Sequence, residues 1–287
     1  MPGRFVRSAV PAALLYGACF LLCFLNPFQG SGLSADIRSI FTFVGTLFAI
    51  LAGFFISSLW DRFTRLRTLV AYEAASLENI YKFCELVDPA LSNEAKGLID
   101  RYIVNALDRE LSHYQEQVRA DYFAFYDLHK RLAGSGSDVP YTRLLNIFDQ
   151  FAKTRKEILS RVKDRLGLHQ WGAMVLLSFL IVVFWLHMQF GGWFGIIMGS
   201  IFMYAIAAIL FIIYDLNNPR WCGEQGILKV YDVNIEVYER VFDVMQISRY
   251  YPEEFLASLS LPAGIGTYRV GLFSDTKNGE RKIVEST

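Results

Sequence analysis

Four uninterrupted apolar stretches dominate the pattern of this chain, at residues 8–25, 39–60, 171–190 and 193–214. Each contains about 18 to 22 residues, the length that a helix needs to cross a hydrocarbon core about 30 Å thick. Residues 166–214 contain no Asp, Glu, Lys or Arg, and Gly191-Gly192 divides them into two spans joined by a short turn. The pattern predicts four membrane-spanning helices arranged as two hairpins.

The first stretch has an alternative interpretation. Arg4 and Arg7 before an apolar segment also describe a secretory signal peptide. The second stretch follows almost immediately, which favours a hairpin of two membrane helices.

The segment between the two hairpins, residues 61–170, has the pattern of a helical bundle. The second span passes into Asp61 and Arg62 with no turn residue between them, so one helix is expected to continue into water and to end at Asp88-Pro89. Apolar residues then recur at every third or fourth position in two further helices. The last of these has Pro140 in its first turn and is expected to continue into the third span.

The remaining segment, residues 216–287, is predicted to hold a helix over 230–247 and a β-hairpin. Residues 267–272 and 281–284 lie on either side of Asn278-Gly279, a typical hairpin turn. The predicted fold is an all-α integral membrane protein with this small hairpin at its C-terminus. Its domains are a first hairpin (1–60), a cytoplasmic segment (61–170), a second hairpin (171–215) and a cytoplasmic helix and tail (216–287).

Basic residues set the predicted orientation. Lys and Arg flank the spans on the side of both termini and of residues 61–170, whereas the two short connections hold only Arg38, balanced by Asp36. Positive charge is retained on the cytoplasmic side of membranes. Both termini and the middle segment are therefore predicted to be cytoplasmic, in a multi-pass protein of the inner or plasma membrane.

Composition and motifs exclude several classes of function. The chain is 53% hydrophobic and its formal net charge is zero, so no basic surface predicts binding to nucleic acid. It contains no phosphate-binding loop or nucleophile elbow, and its His and Cys residues lack metal-ligand spacing. The spans contain no Asp or Glu, which weakens a proton-coupled transporter. We expect neither enzyme activity nor a cofactor or bound metal.

Two short motifs resemble the bestrophin family. The first is Gly53-Phe54, followed eight residues later by Arg62 and Phe63, and it is similar to the signature at the inner end of the second membrane helix. The second is the Asn-Pro-Arg-Trp-Cys-Gly-Glu run of residues 218–224, similar to the segment after the fourth helix but with Arg220 in place of Phe. Residues 70–77 resemble the bacterial bestrophin-like proteins. The likeness covers roughly residues 4–247.

The resemblance implies a homopentameric ion channel whose second helix lines the pore. It places the apolar neck of that pore at Thr46, Ile50 and Phe54, although Thr46 departs from the usual apolar residue. It also implies passage of small monovalent ions without a cofactor. Residues 219–225 contain a single carboxylate, so no calcium site is expected there.

The residues themselves support part of this interpretation. A stripe at spacing four runs along the second span and is polar in its outer part; it comprises Thr42, Thr46, Ile50, Phe54 and Ser58. Thr42 and Ser58 are therefore further candidates for the pore lining. Ordinary helix packing is the alternative, because a threonine can bond its own backbone.

Arg62 also has two interpretations, either as an anion-attracting residue at the cytoplasmic mouth or as an interfacial anchor. The anchor could also form an ion pair with Asp61 or Glu73. For the whole chain, the competing hypothesis is a membrane-anchored scaffold whose cytoplasmic helices recruit partners without conductance.

Overall fold

A computed structural model of the chain describes residues 16–21, 23–25, 35–107, 123–125, 127–128, 138–188, 193–218, 236–252, 268–272 and 282–286. Its longer helices are α1 (Ala35–Val87), α2 (Pro89–Leu107), α3 (Asp138–Lys163), α4 (Leu168–Met188), α5 (Trp193–Asn217) and α6 (Glu236–Met245). The strands are β1 (Arg249–Pro252), β2 (Tyr268–Leu272) and β3 (Lys282–Ser286). Residues 16–21 and 23–24, inside the first predicted span, are also helical.

Three stretches of the described chain are long and apolar enough to cross a membrane, Arg38–Val87, Thr142–His187 and Trp193–Asn217. They contain the second and fourth predicted spans and residues 171–187 of the third. The first predicted span and the Gly191-Gly192 turn lie partly or wholly outside the described residues.

Helix α1 is the longest element, with 53 residues from Ala35 to Val87. It confirms that the second span continues as one helix beyond Asp61, and it ends directly before Asp88-Pro89 as predicted. The Asp88 carboxylate accepts a hydrogen bond from the Ala90 N–H at 2.9 Å and caps α2. The aspartate therefore starts the next helix where α1 stops.

The chain divides into two compact units. The first comprises Met1–Asp61, Arg165–Asn218 and Gln225–Lys229, and the second comprises Arg62–Asp164, Pro219–Glu224 and Val230–Thr287. In the first unit, aromatic rings pack between helices. The Phe41 ring lies 6.4 Å from the Trp185 ring, which in turn lies 4.8 Å from the ring of Phe202.

The core of the second unit is formed by the apolar helix faces that the three- and four-residue spacing in the sequence predicted. Its buried side chains on α1 follow a spacing of three and four, and those on α2 and α3 face the same core. The buried residues of this face on α1 are Leu66, Leu69, Val70, Ala74, Leu77, Ile80, Tyr81 and Cys84. On α3, Leu144 is buried whereas the neighbouring Leu145 is exposed.

The third span does not continue from α3, contrary to our expectation. Helix α3 ends at Lys163 and α4 begins at Leu168. The Gly167 N–H donates to Gln170 Oε1 at 2.7 Å, while its carbonyl accepts from the N–H groups of Gln170 and Trp171. Gly167 is therefore the N-cap of α4, and the side chain of Gln170, the third helical residue, accepts a hydrogen bond from its N–H. Because glycine is a poor helix former, Gly167 favours an interruption between α3 and α4 over one continuous helix.

The C-terminal hairpin is confirmed, and it belongs to a larger sheet. Strands β2 and β3 pair antiparallel, with Tyr268 opposite Ser286. The predicted turn Asn278-Gly279 lies outside the described residues. Strand β1 pairs with β2 in parallel, with Arg249 opposite Tyr268, and gives the order β1-β2-β3. The all-α prediction therefore needs correction, because the second unit contains a three-stranded sheet.

One arginine attaches this sheet to α2. The two terminal nitrogens of Arg269, on β2, donate to both carboxylate oxygens of Asp100 at 2.8 and 2.5 Å. Arg269 Nε donates to the Ser248 carbonyl, and the guanidinium lies 5.6 Å from the centre of the Phe242 ring. A planar guanidinium matches a carboxylate in this two-bond geometry, which fixes orientation as well as distance.

We expect Asp100→Asn to loosen the sheet from α2. The change leaves a largely buried guanidinium without its anionic partner and should lower the free energy of unfolding by about 1–3 kcal/mol. Amide hydrogen exchange at β2, together with thermal unfolding in detergent, measures the effect.

Asp149→Asn is the matched control, since Asp149 forms an ion pair with Lys153 in which both side chains are more than half exposed. Its effect should stay within about 0.5 kcal/mol. Equal losses in the two variants would contradict a special role for the Arg269–Asp100 pair.

Candidate functional site

The membrane-spanning part of α1 has one face covered by its own chain. The buried residues on this face recur every three or four positions and are Val44, Phe48, Ala52, Phe55 and Leu59. The predicted stripe lies on other faces of the helix, and the five residues Thr42, Thr46, Ile50, Phe54 and Ser58 are all exposed. We refer to these five residues as the exposed stripe.

The inner part of the exposed stripe is strongly apolar. Ile50 is 64% exposed and Phe54 is 65% exposed, although both are large hydrophobic side chains. Apolar surface of this size is covered by lipid or by another protein surface in a membrane protein, or it faces a narrow space that excludes water. The geometry of one chain therefore leaves the stripe available for contact.

The outer part of the exposed stripe is polar, and its hydroxyl hydrogens are used within the helix. Thr42 Oγ1 donates to the Arg38 carbonyl at 3.1 Å, and Thr46 Oγ1 donates to the Thr42 carbonyl at 2.9 Å. These are the backbone bonds of the alternative interpretation. Each hydroxyl oxygen nevertheless keeps acceptor capacity for water or an ion.

Two glycines lie beside the exposed stripe, and no neighbouring atom of the chain is close enough to require a glycine at either position. A methyl group added at Gly45 or Gly53 would meet no atom of the described residues within 4 Å. Both positions lie on the membrane-spanning part of a continuous helix. They would let another helix approach closely, as small residues do at membrane interfaces.

Arg62 lies in the second unit, where its side chain is only 5% exposed. Its Nε donates to the Arg161 carbonyl at 2.8 Å, near the end of α3. This contact ties α1 to α3. The role at the pore mouth stays a prediction.

Sequence reasoning missed a buried cluster around Glu73 on α1. The Glu73 side chain is fully buried, and its two carboxylate oxygens accept hydrogen bonds from the hydroxyls of Tyr102 and Tyr238. The Arg155 guanidinium lies 5.9 Å from the centre of the Tyr102 ring. These contacts join α1, α2, α3 and α6. The available signal was a glutamate inside an otherwise apolar helix face.

The cluster perturbs the titration of Tyr238. Burial raises the pKa of the Tyr238 hydroxyl well above its ordinary value near 10, and the negative charge of Glu73 adds to the effect. Tyr238 therefore stays neutral in the folded chain and continues to donate to Glu73.

A residue directly before the second family-like motif was also missed by sequence reasoning. Asn217, next to the predicted Asn218-Pro219, is 5% exposed, and its Oδ1 accepts a hydrogen bond from the Leu166 N–H at 2.8 Å. It thus satisfies a backbone group freed by the break before α4. The remainder of the motif, from Pro219, lies outside the described residues, so the absence of a calcium site stays a prediction.

Metal-binding geometry of the usual kind does not occur in the described part of the chain. No group of three or more His, Cys, Asp and Glu side chains is placed to hold a metal ion there.

Long apolar helices and a helix that continues far past its apolar part define an α-helical membrane protein. The family model described as Bestrophin-like domain matches residues 12–219, well over half of the chain. The chain therefore belongs to the bestrophin-like family. No curated protein is similar enough in sequence to count as a match.

Solved structures share this fold at low sequence identity. A bacterial bestrophin homologue from Klebsiella pneumoniae is 13% identical with a TM-score of 0.60, over 85% of this chain and 99% of that one. A variant of that homologue has a TM-score of 0.59 at 13% identity, over 85% and 99% of the two chains. A structure described only as a membrane protein variant has the same identity and TM-score, over 84% and 98%.

We expect Tyr238→Phe to destabilise the second unit, because it removes one donor from a fully buried carboxylate. The cost should be about 1–3 kcal/mol at neutral pH. The folded-state pKa of Tyr238 is raised, so its stabilisation is complete below pH 10 and is lost as pH rises further. The difference between wild type and variant should therefore shrink at pH 11, as measured by thermal unfolding.

Tyr72→Phe provides the control, since the Tyr72 side chain on the same helix is 54% exposed. Its effect should be within about 0.5 kcal/mol at either pH. If Tyr238→Phe behaves like this control, the cluster does not have the role described.

Proposed function

We propose that this chain is one subunit of an ion channel, and that the exposed stripe of α1 lines its pore. The observation that carries the proposal is the stripe itself. It is left uncovered by its own chain, and it changes from hydroxyl-bearing to apolar side chains along the helix. Membership of the bestrophin-like family supports the same assignment.

A single α1 helix cannot enclose a pore, so the proposal requires several copies of the chain. The family resemblance favours five copies around one axis, with Ile50 and Phe54 from each copy forming narrow rings. The open space beside Gly45 and Gly53 would admit the neighbouring helix. In this assembly the exposed stripe is no longer a free surface.

The neck of this pore is formed by Thr46, Ile50 and Phe54. Rings of Ile and Phe side chains hold water poorly, so a narrow apolar neck can stop ions by dewetting and conduct when it widens. Thr46 would supply hydroxyl oxygens at one end of the neck. Thr42 and Ser58 line the pore on either side, and Arg62 follows on the cytoplasmic side.

The permeant species is proposed to be a small monovalent ion. The side chains of the neck carry no formal charge, so they provide a narrow barrier and not a binding site for a multivalent ion. No cofactor takes part. The proposed location is the cell membrane, with residues 61–170 and both termini on the cytoplasmic side.

The second candidate function is a membrane-anchored scaffold without conductance. The observation that favours it is the three-stranded sheet, which lies entirely beyond the residues matched by the family model. Such a surface could bind a partner while the apolar helices act only as an anchor. Conductance of the purified chain separates the two candidates.

We expect the purified chain to carry a current in a planar bilayer under a salt gradient. Phe54→Ala and Ile50→Ala should each raise that current severalfold, because a smaller side chain widens and hydrates the neck. Single-channel recording measures both the size of the current and its reversal potential.

Phe179→Ala is the matched control, because Phe179 on α4 is 62% exposed and belongs to another apolar helix. Its current should equal that of the wild type. Unchanged currents in both neck variants would remove the assignment of the neck, and silence of all four proteins would favour the scaffold.

A further inference from the structure

Three sulfur-bearing side chains meet inside the first unit. Cys19, Cys23 and Met203 form one buried cluster, in which Cys23 is fully buried and the other two are 7% exposed. Cys23 Sγ lies 3.5 Å from Met203 Sδ. The two cysteines are four residues apart in helical segments, so their thiols lie on one face of the helix.

We propose that Cys19, Cys23 and Met203 form a binding site for a soft monovalent metal cation, Cu(I). The third ligand comes from a residue 180 positions away, so no spacing in the sequence reveals it. Thiolate and thioether ligands are the donors that select Cu(I) over harder cations. The proposal does not depend on conductance and would hold for a channel or for a scaffold.

The distance between the sulfurs suits a shared metal ion. Two sulfur ligands that each lie about 2.3 Å from a metal are separated by about 3.8–4.0 Å in tetrahedral or trigonal geometry. The observed separation of Cys23 Sγ and Met203 Sδ, 3.5 Å, is a few tenths of an ångström shorter than this. Little movement of these two side chains is needed for a metal to bind between them.

Gly199 on α5 lets Trp185 and Cys23 pack closely against this helix. A methyl group at this position would lie 2.5 Å from Trp185 Nε1 and 3.2 Å from Cys23 Sγ. Trp185 Nε1 is also buried and has no hydrogen-bond acceptor among the described residues. The indole N–H and the Cys23 sulfur therefore lie against the same glycine, where a metal-bound Cys23 thiolate would offer that N–H an acceptor.

The apolar surroundings of the site determine which net charge the complex of Cu(I) and its sulfur ligands can have. A buried complex with net charge is costly in a low-dielectric interior, so a neutral complex is favoured. One thiolate, one thiol and one thioether around Cu(I) give zero net charge. Binding then forms the metal–sulfur bonds, breaks one S–H bond and releases that proton to water.

The test uses the full chain with Cys84→Ser and Cys222→Ser, which leaves Cys19 and Cys23 as its only thiols. The purified protein is titrated with Cu(I) under anaerobic conditions, in competition with a chromogenic Cu(I) chelator. We expect one Cu(I) per chain, one proton released, and sulfur neighbours at about 2.3 Å in X-ray absorption. Absence of Cu(I) binding in this protein would overturn the proposal.

Removing the ligands identifies the site. Adding Cys19→Ser and Cys23→Ser should abolish stoichiometric binding, and Met203→Leu alone should weaken it at least about tenfold. Met203→Leu conserves volume and keeps the proposal testable if the cysteine variant does not fold. Met174→Leu is the control, since Met174 is fully buried on α4 outside this cluster. Equal binding by the Met203→Leu and Met174→Leu proteins would overturn the proposal.

Discussion

Helix α1 imposes the constraint on which the rest of the structure depends. Its buried face is satisfied by apolar packing within the first unit, whereas the exposed stripe presents Ile50 and Phe54 to the outside at nearly two thirds of their surface. Helix packing in membranes depends on close contact and on the pairing of polar groups. A polar-to-apolar stripe with small residues beside it is well suited to an assembly in which copies of α1 surround a pore.

In the second unit, the constraint on α1 is the buried carboxylate of Glu73. Glu73 is a carboxylate without exposure to water, and such a group is stable only with hydrogen-bond partners. Tyr102 and Tyr238 provide two of them, from α2 and from α6. The sheet is attached to α2 by another charged group, Arg269. Charge-assisted contacts thus fix which elements pack together, while the apolar face of α1 contributes buried side chains to the same core.

Local signals predicted much of the fold. Hydrophobic periodicity located the apolar helices, and Asp88-Pro89 marked the end of α1. The Asn278-Gly279 turn signal near the C-terminus predicted the pairing of β2 and β3. The stripe could be described as a pattern, but its exposure follows from the packing of α1 against the rest of the chain. The features that the sequence did not predict depend on contacts between residues that are far apart in the chain. Strand β1 needs β2 as a partner, and the Leu166 N–H is satisfied by Asn217 on α5.

The number of chains in the purified assembly tests the central claim most directly, because a pore lined by the exposed stripe needs several copies of α1. Native mass spectrometry of the protein released from lipid nanodiscs gives this number without assuming any function. The account predicts an assembly of five chains. A monomer or a dimer would contradict it, since neither can surround a neck made by one helix from each chain.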